Sequence, residues 1–171
     1  MGCAQAIEKL ARDAGVSLKV AAVVGDDVMA ELPALRAAGA RCFETGMALP
    51  ESILSANAYT GAAGIAAALA LGAQVVVTGR CVDSAVVLGV LVHEFGWAWN
   101  DFDRLSQGSL AGHIIECGAQ ATGGLYTDWE QVPAWDRIGY PILECTADGS
   151  FVVTKPAGTG GLRTGDRKTR S

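Results

Sequence analysis

The chain has 171 residues, of which 50% are hydrophobic and 18% are charged, and this composition excludes a disordered chain. The net charge is −5, but the last nine residues hold four of the 13 basic and one of the 18 acidic side chains, which leaves 9 basic and 17 acidic residues in the body. A body this acidic excludes a nucleic-acid-binding surface and disfavours an anionic membrane as a partner.

The cysteines and the apolar runs indicate the compartment. Five cysteines are spread along the chain without a CxxC pair, which predicts reduced thiols and no disulfide framework. No run reaches the roughly 18 apolar residues of a membrane span, and the residues after Met1 lack the order of a signal peptide. We therefore expect a cytoplasmic protein.

The first 38 residues have the pattern of a helix, a strand, a glycine turn and a second helix. Apolar spacing predicts a helix over 4–14, and the β-branched run 18–24 (LKVAAVV) predicts a buried strand. Gly25-Asp26-Asp27 forms the turn, with its acids as candidate helix caps, and helical periodicity returns over 27–38.

The same order recurs between residues 60 and 91. An alanine-rich helix over 60–71 precedes a strand over 74–77, a turn over 78–80 and a helix that begins near Asp83. Two such units predict an α/β fold, with a Rossmann-like, open, mainly parallel sheet and helical crossovers.

The remaining sequence is less regular. The predicted elements are a helix over 105–117, an irregular stretch over 118–141, a C-terminal β-hairpin over 142–154 and a glycine loop over 155–161. Asp148-Gly149 is a strong hairpin-turn signal. We predict one α/β domain over 1–162 and a disordered basic tail over 163–171.

The turn after the second predicted strand is a candidate anion site. Ligands of open α/β sheets bind at the carboxyl ends of the strands, and a helix N-terminus near Asp83 and Ser84 would favour an anion there. Arg80 would add a bidentate clamp. Alternatively, Asp83 or Ser84 only caps the helix and Arg80 pairs with a surface acid. No Walker or GxGxxG motif is present, so no cofactor is evident.

A second candidate site lies on the helix predicted over 105–117. His113, Glu116 and Cys117 have the i, i+3, i+4 spacing that puts side chains on one face. A histidine beside a carboxylate can transfer protons. A metal site is less favoured from spacing alone, and we predict none; packing of Cys117 and a surface His–Glu pair are the structural alternative.

Glycines mark a third candidate site. Gly123-Gly124 and the loop from Lys155 to Gly161 would let the backbone approach a ligand closely, with Lys155 holding a phosphate or carboxylate. The alternative is that these glycines only form turns.

Five stretches taken together resemble the acyclic terpene utilisation (AtuA-like) family, in its N-terminal domain. They run in order along the chain: 56–61 (ANAYTG), 78–97 (TGRCVDSAVVLGVLVHEFGW), 111–124 (AGHIIECGAQATGG), 138–144 (IGYPILE) and 148–161 (DGSFVVTKPAGTGG). The resemblance implies a bacterial catabolic protein acting on a branched acyl-CoA or a related acid, with a reaction of lyase or hydratase type as one option. Family members begin with an earlier strand and continue past the last stretch, so we expect this chain to be an incomplete piece of the domain.

The leading hypothesis is a domain that acts on an anionic carbonyl metabolite such as an acyl-CoA. The predicted catalytic residues are His113, Glu116 and Asp83. The predicted substrate-binding residues are Asn57, Arg80, Ser84, Gly123, Gly124, Lys155, Gly158, Gly160 and Gly161. The rivals are a non-catalytic binding or assembly module, which would form a homo-oligomer, and an inactive truncated fragment.

Overall fold

The structure is a computed structural model that describes residues 2–162. The chain divides into two compact units, Met1–Val82 and Asp83–Ser171. The predicted disordered tail over 163–171 lies outside the described residues. No helix among residues 2–162 combines the length and the apolar character that crossing a bilayer requires.

The first unit is built around two parallel strands. Its elements are α1 (Gly2–Asp13), β1 (Val20–Val23), a 3-10 turn (Met29–Glu31), α2 (Leu32–Ala37), α3 (Ala63–Ala70) and β2 (Val75–Thr78). β1 and β2 pair from Val20 opposite Val75 to Val23 opposite Thr78, and α3 packs against both strands. A Cβ on Gly64 would lie 2.6 Å from Val23 Cγ1, so this glycine allows the helix to approach the sheet closely.

α2 is shorter than its predicted range of 27–38. Asp27 forms an isolated antiparallel bridge with Asn57, and its carboxylate accepts a hydrogen bond from the Met29 backbone N–H at 3.0 Å. Pro33 then stands in the first turn of α2, where proline is tolerated. The acidic turn is therefore tied to a distant segment, and the helix begins after it.

The second unit joins a helix pair to a hairpin. Its elements are α4 (Ala85–Phe95), α5 (Phe102–Cys117), 3-10 turns over 118–122, 129–131 and 135–137, β3 (Ile142–Cys145) and β4 (Phe151–Thr154). α5 begins earlier than predicted because the Asp101 side chain accepts a hydrogen bond from the Arg104 backbone N–H at 3.3 Å and caps the helix.

Two glycines on α5 allow it to pack closely against α4. A Cβ on Gly108 would lie 2.8 Å from Leu88 Cδ1, and one on Gly112 would lie 2.5 Å from the Ser84 carbonyl oxygen. Gly108 contacts Leu88, and the later Gly112 contacts the earlier Ser84, so the two helices are antiparallel. This packing brings the start of α4 against the last turns of α5.

The predicted hairpin is confirmed. β3 and β4 pair antiparallel from Ile142 opposite Thr154 to Cys145 opposite Phe151. Trp97 is 5% exposed, and its indole N–H donates to the Ala147 carbonyl at 2.8 Å, which ties the hairpin turn to the helix pair.

The α/β class is confirmed. The described residues form one two-stranded parallel sheet and one two-stranded antiparallel sheet. A wider Rossmann-like sheet is not formed among them.

Candidate functional site

At the carboxyl ends of β1 and β2, the side chain of Asp26 joins three segments of the first unit. Its Oδ2 atom accepts hydrogen bonds from Asn57 Nδ2 at 3.0 Å and from the Arg80 backbone N–H at 2.9 Å. The Arg80 hydrogen bond is the largest cause that lowers the pKa of Asp26 below its ordinary value. The carboxylate therefore fixes the turn that carries Arg80.

Gly79 leaves the space for this carboxylate. A Cβ at position 79 would lie 1.9 Å from Asp26 Oδ1, which no side chain allows. Sequence reasoning assigned Asp26 only as a candidate helix cap. The available signal was its place directly after a buried strand, at the sheet edge where ligands bind.

The Arg80 side chain remains available at this edge. Arg80 is exposed, and its guanidinium forms no hydrogen bond or ion pair with residues 2–162. Its backbone is held on both sides, because its carbonyl accepts from the Thr60 backbone N–H at 3.1 Å while its N–H donates to Asp26. The predicted binding residues Asn57 and Arg80 are thus joined through Asp26, which was predicted only as a helix cap.

In the second unit, Ser84 occupies the N-cap position of α4 and makes no capping side-chain hydrogen bond. Its role is instead to pack against Gly112 of α5. Asp83 precedes it and is exposed. The structure thus places both predicted residues where α4 meets α5.

The predicted cluster on α5 is present. The ligand atoms of His113, Glu116 and Cys117 all lie within 4.8 Å of one another; the first two residues are exposed and Cys117 is half-buried. The Cys117 thiol donates to Glu116 Oε2 at 3.7 Å. Burial, then the negative charges of Glu116 and Asp83, raise the pKa of Cys117. The cluster thus contains two of the three predicted catalytic residues, His113 and Glu116, and the charge of the third, Asp83, acts on Cys117.

Lys155 and the glycine loop fold back on the irregular stretch before β3. The Lys155 ammonium donates to the carbonyls of Ile138, at 2.8 Å, and Gly160. Gly161 has φ +74°, and a Cβ there would meet the Thr122 and Ile138 carbonyls at 2.6 and 2.7 Å. These contacts give Lys155 a structural role, and its binding of a ligand stays a prediction.

A pocket of about 350 Å³ lies beside this loop. It is lined by Ala121, Thr122, Val153, Thr154, Lys155, Ala157 and Leu162. Lys155 is the predicted binding residue in its wall, and neither His113 nor Glu116 contributes to it.

The other predicted glycines lie in turns near this pocket. Gly123 has φ +113° and Gly158 has φ +76°. The Gly124 N–H donates to the Ala119 carbonyl at 2.7 Å, and the Gly160 N–H donates to the Arg137 carbonyl at 2.8 Å.

A family model described as acyclic terpene utilisation family protein AtuA matches residues 1–167. This chain belongs to that family. The match confirms the resemblance carried by the five ordered stretches, and the family gives the chain a context of acyclic terpene utilisation. No curated protein and no solved structure matches the chain.

Proposed function

We propose that this member of the acyclic terpene utilisation family binds an anionic carbonyl metabolite, a branched acyl-CoA being the leading example, and transfers a proton beside its carbonyl group. The observation that carries the proposal is the cluster of His113, Glu116 and Cys117, whose ligand atoms lie within 4.8 Å of one another. The family context supports a catabolic role, and a cytoplasmic location is part of the proposal. A Rossmann-like sheet, completed by strands that pair with β1 and β2, belongs to the same proposal.

Arg80 supplies the anion contact. An exposed guanidinium without an ion-pair partner among residues 2–162 is suited to bidentate binding of a phosphate or carboxylate. The Arg80 backbone N–H is already bound by Asp26. An entering anion therefore uses the guanidinium, while Asn57 acts by holding Asp26 in place.

His113 and Glu116 supply the proton transfer. Histidine is the side chain most often used as a general acid or base, and a carboxylate beside it stabilises the protonated form. Both side chains are exposed. Removal of a proton next to a carbonyl is a step shared by many lyase and hydratase reactions.

Thermal unfolding with a branched acyl-CoA tests the anion contact. A ligand at 100 times its Kd stabilises by roughly 2.7 kcal/mol. We expect Arg80→Gln to abolish this stabilisation, and the exposed Arg12→Gln to keep it as the matched control. Absence of stabilisation in the unaltered chain, or its persistence in Arg80→Gln, would contradict the proposal.

Deuterium incorporation next to the carbonyl, followed by mass spectrometry in heavy water, tests the proton transfer. We expect the unaltered chain to accelerate incorporation and His113→Gln to remove that acceleration. His93→Gln, which changes the other histidine of the chain, should behave like the unaltered protein.

Exposed apolar side chains favour a second candidate, the assembly module. Phe43 and Leu54 in the first unit, and Leu125 and Tyr140 in the second, are all more than half exposed. Isolated exposed apolar residues are common, but several large ones suit a protein contact. Sedimentation analysis that finds a stable homo-oligomer, together with no response to acyl-CoA, would favour this candidate.

A further inference from the structure

We propose that His113, Glu116 and Cys117 form a binding site for a divalent transition-metal ion, with Zn²⁺ as the best fit. The site has three protein ligands and leaves one coordination position open. This inference goes beyond the proposed function, because the binding of the metal needs no substrate.

The helix puts the three ligands on one face. Residues at i, i+3 and i+4 are neighbours on a helix surface, and the three ligand atoms lie within 4.8 Å of one another. Tetrahedral zinc bonds of about 2.0–2.3 Å place ligand atoms about 3.3–3.6 Å apart. The most widely separated ligand atoms must therefore close by up to about 1.2–1.5 Å, which rotation of the exposed His113 and Glu116 side chains provides.

The donor set selects the class of metal. A thiolate and an imidazole favour zinc or cobalt over magnesium and calcium, which prefer oxygen ligands. Zinc sites with three protein ligands and an open position are the catalytic type, whereas structural sites usually have four protein ligands. Cys117, Glu116 and His113 therefore fit a site that can accept water or a substrate oxygen.

The local charge also favours a cation. Glu116 Oε2 lies 3.7 Å from the Cys117 sulfur, and Asp83 directly precedes Ser84, which packs against α5 at Gly112. Neither carboxylate forms an ion pair within residues 2–162, where the ion pairs are Lys9–Asp13 and Arg104–Asp101. A divalent ion would neutralise this unpaired negative charge.

Asp83 is held near the ligands by the packing of the two helices. Ser84 contacts Gly112 one turn before Glu116 and Cys117, so the residue next to Ser84 stays beside the end of α5. Asp83 is therefore placed to accept a hydrogen bond from a metal-bound water.

The alternative, in which Cys117 only packs against its neighbours, describes this site less well. A cysteine used only for packing lies in the apolar interior and is inert. Cys117 is half-buried, and its thiol points to a carboxylate at 3.7 Å. The second half-buried cysteine of this unit, Cys145, is not part of the cluster, so Cys145 is the matched control.

Titration of the metal-free, reduced full chain with Co²⁺ tests the site. We expect one equivalent to bind, with a thiolate-to-cobalt charge-transfer band and the intense visible bands of tetrahedral cobalt, and Zn²⁺ to displace it. Cys117→Ser should lose the charge-transfer band, and His113→Gln should weaken binding by about tenfold or more. Cys145→Ser and His93→Gln should bind as the unaltered chain does.

Two results would overturn the site. One is the absence of a charge-transfer band in the unaltered chain, and the other is a band that Cys117→Ser retains while its far-ultraviolet circular dichroism shows a folded protein. The assay uses the metal alone, so its failure leaves the acyl-CoA proposal standing, and failure of acyl-CoA binding leaves the metal site standing. Because His113 would be a ligand in the metal-bound chain, the proton transfer proposed for His113 applies to the metal-free chain.

Discussion

The contact between Gly112 and Ser84 gives a prediction whose sign the structure decides. In an open helix position, Gly→Ala stabilises a protein by up to about 1 kcal/mol because alanine is the better helix former. At Gly112 the new Cβ would lie 2.5 Å from the Ser84 carbonyl oxygen, while ordinary contact begins at 3.4 Å. α4 would have to retreat by about 0.9 Å, the difference of these two distances.

The obstacle is backbone, which cannot rotate away as the end of a side chain can. Overpacking of this kind costs about 2–3 kcal/mol, so about 1–2 kcal/mol of destabilisation remains after the helix-propensity gain. For a chain of this length, we expect the midpoint of calorimetric unfolding to fall by about 2–8 °C.

Gly61→Ala is the matched control, because a Cβ at position 61 meets nothing within 4 Å. We expect this control to leave the midpoint unchanged or to raise it. If Gly112→Ala raised the midpoint instead, α4 and α5 would not be in close contact at Ser84, and the placement of Asp83 beside Cys117 would lose its support.

Two further predictions concern titrating groups. Hydrogen bonds from Thr146 and Ser150 lower the pKa of Asp148 from 3.8 to about 2. The ionised carboxylate therefore contributes its full stabilisation above pH 3.8 and loses it as the pH falls through about 2. A titration of the Asp148 carboxyl group by NMR with a midpoint near 3.8 would refute this. In the metal-free chain at neutral pH, iodoacetamide should modify Cys42, whose pKa is lowered, faster than Cys117, whose pKa is raised. Glu116→Gln should accelerate the modification of Cys117. The modification rates can be followed by peptide mass spectrometry, and a faster modification of Cys117 than of Cys42 in the unaltered chain would contradict the two pKa directions.

The elements were predictable where the sequence pattern is local and strong. The runs LKVAAVV and QVVV became β1 and β2, and the Asp148-Gly149 signal became the hairpin turn. The observed helix starts differ from the predicted ones where a side-chain carboxylate accepts a hydrogen bond from a backbone N–H group. Asp27 binds the Met29 N–H and delays α2, and Asp101 caps α5 ahead of the predicted start.

Of the candidate sites, the one formed by nearby residues was predictable, and the one formed by distant residues was not. The grouping of His113, Glu116 and Cys117 follows from helix geometry alone, so spacing predicted it. The partners of Asp26 stand 31 and 54 residues away in sequence. Such contacts depend on strand pairing and on the space at Gly79, neither of which leaves a local pattern.

The tryptophans are divided unevenly between the two units. All four, Trp97, Trp99, Trp129 and Trp135, belong to the second unit. Trp97 is buried and hydrogen-bonded to the hairpin turn, and its ring stacks on Phe95 with centroids 5.6 Å apart. Indole fluorescence therefore reports on the second unit alone, and the first unit can be followed separately by a dye on Cys42. An optical experiment can thus record whether the two units unfold together or in sequence.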